Sequence, residues 1–163
     1  GANWGVVHLI LKGGTRGVEF ARAGAALGKG NYFADNSCKA LTYSVCSMCG
    51  NHGWCKTADC PGVYCVLLCR VALGRLDVTE SFRRTATGPR GEGCSSTVGY
   101  AKKIDSNSVF WYTEYITYAD VVSCYPEYVV TVRKGQPAST GPQPVLVNGG
   151  GRMDVACGVE VVM

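Results

Sequence analysis

Residues 63–73, VYCVLLCRVAL, form a nearly unbroken apolar run that ends at Gly74. A membrane helix needs about 20 apolar residues, so the run is too short to cross a bilayer. It reads as a strand buried on both faces, and such a strand obliges the chain to build a core around it. With 163 residues, 47% of them apolar, the chain is long enough for one domain with a real core. VFWYTEYITY (109–118) and EYVVTV (127–132), aromatic and β-branched, read as further strands. VLV and VEVVM, close to the last residue, are candidate edge strands. Asn3 caps a short helix with Val6, Val7, Ile10 and Leu11 on its apolar face and Gly13 and Gly14 at its end. A second helix starts at Asn36 or Ser37 and carries Leu41 and Val45 on one face. Residues 75–107 are polar and glycine-rich and read mostly as loop. The whole is an α+β domain whose sheet is built mainly from late residues.

Charge excludes more than it suggests. The net charge of +4 is spread over scattered bases, such as Arg83 with Arg84 and Lys102 with Lys103, so nucleic acid is not indicated as a partner. No membrane span is expected. GANWGVVHLILKGG lacks the basic start and small-residue cleavage site of a signal peptide.

Ten cysteines are far above ordinary use, and five of them crowd into Cys46–Cys65 around His52. Zinc takes a tetrahedron of thiolate and imidazole ligands, often in pairs two to four residues apart. Cys49, His52, Cys55 and Cys60 close such a site, and Cys46 can replace Cys55. Four protein ligands leave no open position for a catalytic water, which makes the metal structural. Disulfides are the rival reading. Cys65 and Cys69 share a face of the buried strand and read as small apolar fillers, and His8 reads as a core or boundary histidine.

Two further stretches stand out. In GKGNYFADNSCK (28–39) an aromatic pair follows a glycine corner and precedes a helix cap. In YTEYITY, Glu114 shares a strand face with Tyr112, Ile116 and Tyr118. A carboxylate in that company is costly unless it is hydrogen-bonded or exposed, so either an edge strand meeting water or a cleft would accommodate it.

GKGNYFADNSCKALTY, CRVALG, YTEYITY and YPEYVVTV, in that order, resemble the catalytic domain of the poly(ADP-ribose) polymerases, and the cysteine-histidine loop resembles the tankyrase branch. The resemblance covers residues 1–134 and leaves 135–163 as a tail of unknown role. It implies a diphtheria-toxin-like ADP-ribosyltransferase fold, with two packed, mainly antiparallel sheets and short helices. It also implies transfer of ADP-ribose from NAD to protein acceptors with release of nicotinamide, with or without polymerisation. Nicotinamide-like inhibitors, structural zinc and an intracellular site of action, cytoplasmic or nuclear, belong to the same expectation. Residue by residue, Tyr32 and Tyr43, the latter further along the second helix, resemble the walls of the nicotinamide pocket. Glu114 resembles the catalytic glutamate, and Lys39 a lysine near the same site. Core packing for the tyrosines and solvation for Lys39 are the plainer readings.

The family's His-Gly pair would place its glycine at Gly1 and its histidine one residue earlier, so the first strands of the fold are expected to be missing. Ala40 stands where the family has a serine that binds the nicotinamide amide, and losing that bond costs about 0.5–1.5 kcal/mol. These departures keep open a catalytically silent module with the same fold, and the even number of cysteines keeps open a disulfide-rich secreted protein.

Overall fold

A glycine corner sets the start of the first strand. The computed structural model describes residues 1–13, 26–53, 55–118, 124–134 and 159–162. After helix α1 (Trp4–Gly13), Gly28 takes φ +103°, a conformation only glycine adopts cheaply, and leads into β1 (Asn31–Ala34). Helix α2 (Ser37–Leu41) is capped by Asn36, whose side chain accepts from the Cys38 and Lys39 amides. The strands β2 (Val63–Val71), β3 (Leu76–Val78), β4 (Ser96–Gly99), β5 (Glu114–Thr117), β6 (Cys124–Lys134) and β7 (Val159–Val162) follow.

These strands form two sheets, ordered β1-β5-β4-β3 and β2-β6-β7. The β1–β5, β4–β5 and β6–β7 pairs are antiparallel, and the β3–β4 pair is parallel. The architecture is α+β with short helices, as expected. The chain divides into two compact units. Unit 1 contains Gly1–Trp4, Asn36–Val66 and Val129–Met163, and unit 2 contains Gly5–Asp35 and Leu67–Tyr128. In unit 1, Leu41, Cys46, Cys55, Tyr64 and Val132 pack together. In unit 2 the packed centre is Leu27, Phe110 and Ile116, with Tyr32 and Tyr118 against it.

Several expectations need correction. β2 is buried only around Tyr64 and Cys65; Leu68 and Arg70 are exposed, because a sheet of three strands covers the middle of that run incompletely. The supposed loop 75–107 contains β3 and β4, and every residue of β4 (STVG) is buried. Serine and threonine fit that central strand because their hydroxyls find partners: Ser96 Oγ donates to the Leu73 carbonyl at 2.5 Å, and Thr97 Oγ1 pairs with the Tyr118 hydroxyl at 3.2 Å. The strand expected over 109–118 is confined to Glu114–Thr117, and Trp111 before it is 85% exposed. The second helix stops at Leu41, with Thr42 as its C-cap, so Tyr43 and Val45 lie beyond it. Of the apolar face proposed for α1, Val7 is buried whereas Val6 and Leu11 are exposed, and His8 is exposed and not a core histidine. VEVV does form a strand, paired antiparallel with β6. VLV, at 145–147, lies outside the described residues, as does most of the loop 15–27.

Candidate active site and cysteine cluster

Glu114 is the first residue of β5, the strand flanked by β1 and β4. Its direct neighbours across those strands are Ala34 and Gly99. Cross-strand partners project from the same face, so the carboxylate rises between two residues with almost no side chain. Gly99 must be small, since a Cβ there would lie 2.5 Å from Cε2 of Phe110. Glu114 is only 8% exposed. It is thus neither an edge-strand carboxylate in open water nor a group sealed in the core.

Tyr32 shares that face, one pleat away, opposite Ile116. Its hydroxyl accepts from the Leu27 amide at 2.8 Å and donates to the Gly28 carbonyl at 2.7 Å. The Tyr118 hydroxyl donates to the Leu27 carbonyl at 2.9 Å. Two tyrosines, one in β1 and one directly after β5, therefore clamp one fully buried residue of the glycine corner. This accounts for an aromatic two residues after GKG: its hydroxyl staples the turn that delivers it. Gly28 and Gly30 are both forced, because a Cβ would meet the Ala86 carbonyl oxygen at 2.1 Å and the Thr117 carbonyl oxygen at 2.5 Å. Burial pushes the phenols of Tyr115 and Tyr118 up, so both are neutral donors at ordinary pH.

Unit 1 carries the other candidates. A Cβ on Gly1 would lie 2.0 Å from the Ala40 carbonyl oxygen and 2.3 Å from Ser44 Oγ, so position 1 also accepts glycine alone. Ala2 forms a bridge with Cys65. Tyr43 is 45% exposed, and the Lys39 ammonium donates to its hydroxyl at 3.4 Å from 5.1 Å off the ring centre. Lys39 and Tyr43 therefore form one pair in this unit, while Tyr32 and Glu114 form one face in the other.

A family model described as the poly(ADP-ribose) polymerase catalytic domain matches residues 1–134. The chain belongs to the PARP catalytic-domain family. No curated protein matches it. PARP catalytic domains are ADP-ribosyltransferases that use NAD as substrate, and the two antiparallel-rich sheets of this chain are those of the ADP-ribosyltransferase fold.

This PARP domain also gathers four thiols. The sulfurs of Cys46, Cys49, Cys55 and Cys60 all lie within 4.8 Å of one another. Cys46 and Cys60 are 3.7 Å apart, and Cys49 and Cys55 3.3 Å. Zinc–sulfur bonds of about 2.3 Å in a tetrahedron put ligand sulfurs about 3.8 Å apart, so the donor set and its spacing fit a metal of that kind. Of the expected set, Cys49, Cys55 and Cys60 belong to this group and His52 does not. Cys46 completes the group, and His52 is exposed and forms a bridge with Val45. The Cys46-x2-Cys49 spacing was the signal for it. Gly50 donates to the Cys46 carbonyl and Cys46 to the Asn51 carbonyl, both at 2.9 Å, and this tight turn is what brings the first two thiols together.

The quartet is electrostatically uneven. A hydrogen bond from Cys49 lowers the Cys55 thiol to about 6. The Gly62 amide favours a thiolate at Cys60, but burial and the neighbouring thiols outweigh it and push that thiol up to about 12. Cys55 is thus the thiol of the quartet most ready to act as a thiolate, and Cys60 the one that holds its proton hardest. Tyr64, fully buried on β2, accepts the Cys55 amide hydrogen bond on its hydroxyl and so ties the loop to the sheet. Among the described cysteines, eight are free thiols and Cys38 is disulfide-bonded.

Proposed function

We propose that the chain transfers ADP-ribose from NAD to protein side chains and releases nicotinamide, with Glu114 as the catalytic carboxylate. The observation that carries this reading is the position of Glu114, nearly buried yet flanked by Ala34 and Gly99 and sharing its sheet face with Tyr32. A carboxylate held at one place on the sheet and nearly out of water suits a reaction that needs a fixed negative charge.

In this chemistry the bond between the ribose C1′ and the nicotinamide nitrogen breaks, the electron pair leaving with nicotinamide. The sugar passes through an oxocarbenium-like state, as in glycoside cleavage. Glu114 accepts a hydrogen bond from the ribose 2′-hydroxyl and stabilises positive charge that develops only at that point. The acceptor's nucleophile then bonds to C1′ and gives up its proton. By resemblance, Tyr32 and Tyr43 are assigned to stacking on nicotinamide, worth about 0.5–1.5 kcal/mol beyond burial. Gly1 is assigned to its amide and Lys39 to the neighbourhood of the carboxylate. A glutamate at this position keeps elongation of a polymer within reach, and we assign the chain to the tankyrase-like branch. Zinc at Cys46, Cys49, Cys55 and Cys60 would hold the loop that follows Tyr43. Its role is structural, since four thiolates leave no open position.

The test is mass spectrometry for added ADP-ribose after incubation with NAD, on the chain and on its Glu114→Gln form. Modification of the first and not the second supports the proposal. Ala40, which lacks the hydroxyl the family uses, favours a second reading as a silent module. NAD binding without modification in either form would establish that reading instead.

A further inference from the structure

The strand β3 supplies a carboxylate with no place in the chemistry above. Asp77 Oδ2 accepts from the Arg83 guanidinium at 2.5 Å and from the Arg90 amide at 2.7 Å. Both side chains of the ion pair are close to buried, 13% exposed for Arg83 and 10% for Asp77. A pair this enclosed is retained at a desolvation cost, so what it holds in place matters more than its own net energy.

What it holds can be followed atom by atom. Arg83 begins a turn closed by its carbonyl, which accepts from the Ala86 amide at 2.9 Å. Both ends of that turn grip the glycine corner. The Arg83 amide donates to the Ala26 carbonyl at 2.7 Å, and the Lys29 amide donates to the Ala86 carbonyl at 2.9 Å. Between those two bonds lie Leu27 and Gly28, the residues bonded to the Tyr32 hydroxyl. Gly28 has no Cβ because the Ala86 carbonyl occupies that space. Asp77 itself is anchored in the sheet, in register with Thr97 of β4. The connection thus runs from a sheet strand through an ion pair to a turn, and from that turn to the corner that orients Tyr32.

We propose that the Asp77–Arg83 pair is a positioning device for nicotinamide recognition, fixing the 26–29 corner and through it the ring of Tyr32. The inference rests on the transferase reading and on Tyr32 stacking against nicotinamide. Neither Asp77 nor Arg83 touches the reacting atoms; they act through the corner. The pair sets how well NAD is held and leaves Glu114, carried by a different strand, to its own step.

Steady-state kinetics with NAD on the full chain, for the wild type, Asp77→Asn and Arg83→Lys, test it. The asparagine keeps an acceptor for the Arg90 amide but removes the charge facing Arg83. Its KM for NAD is expected to rise about tenfold, the equivalent of one charge-assisted hydrogen bond, with kcat nearly unchanged. Arg83→Lys keeps the charge and is expected to recover most of the wild-type KM. The affinity for free nicotinamide, measured by calorimetry, should follow KM. A purely structural role would instead reduce the active fraction, lowering kcat at constant KM. That result in Asp77→Asn, or in Arg83→Gln if the first variant does not fold, overturns the inference. A wild type that turns over NAD while Asp77→Asn keeps its KM overturns the positioning role alone. A wild type with no turnover overturns the transferase reading and this inference together.

Discussion

Replacing Cys46 by serine should release the metal proposed for the cysteine loop, whereas replacing His52 by alanine should not. The two residues separate the observed quartet from the set read in the sequence. Cys46 Sγ is 3.7 Å from Cys60 Sγ, close to the ligand spacing of a zinc tetrahedron, while His52 is exposed and outside the cluster. Structural zinc in small peptide sites binds with about 10–16 kcal/mol at neutral pH. If four ligands share that equally, one is worth about 2.5–4 kcal/mol, or roughly a hundredfold to a thousandfold in affinity. The assay is competition with a chromogenic chelator, with bound metal counted by elemental analysis and unfolding followed alongside. Wild type and His52→Ala should hold one equivalent at the same chelator concentration at which Cys46→Ser is stripped. Equal loss from both variants would refute the quartet, and a wild type without metal would refute the site. Because metal must displace the proton held by Cys60, affinity should also rise steeply with pH.

Three other outcomes follow from the packing. Gly28→Ala should cost about 2 kcal/mol or more in urea unfolding, since its φ of +103° and the Ala86 carbonyl both oppose a side chain. Tyr64→Phe leaves the amide of fully buried Cys55 without its hydroxyl partner, a loss of about 1–3 kcal/mol readable in the same experiment. For Asp77, burial disfavours the charge, but the Arg90 amide and the Arg83 guanidinium outweigh it and hold the carboxyl below its ordinary value. A depressed folded pKa gives stability that is complete above about pH 4 and disappears as pH falls through the folded value. Acid titration of stability should therefore be shallower in Asp77→Asn than in the wild type.

Much of this was legible because the relevant signals are local. Asn36 reads as a helix cap, GKG as a forced corner, and Glu114 as a carboxylate on an aromatic strand, and all three hold in three dimensions. β4 was not legible, because STVG has neither apolar alternation nor length; its burial depends on hydroxyl partners supplied by distant residues. VFWYTEYITY looked like ten residues of strand since aromatic content suits a pleated surface, yet only the four residues with partners on both sides are in the sheet. The helix bearing Lys39 stops before Tyr43, because Thr42 Oγ1 donates to the Lys39 carbonyl and its amide is shared by carbonyls of the last turn. The spacing offered five candidate ligands and left open only the choice between Cys46 and Cys55, whereas the four sulfurs that gather include both and leave His52 outside.

β7 has a consequence for where a folding unit can be cut. The family match ends at Lys134, the last residue of β6, but the outer edge of β6 from Thr131 to Lys134 is paired by Val159–Val162. A chain trimmed to the matched residues would offer that edge, with unpaired amides and carbonyls, to any extended segment in solution. The shortened protein should be more prone to self-association than the full one.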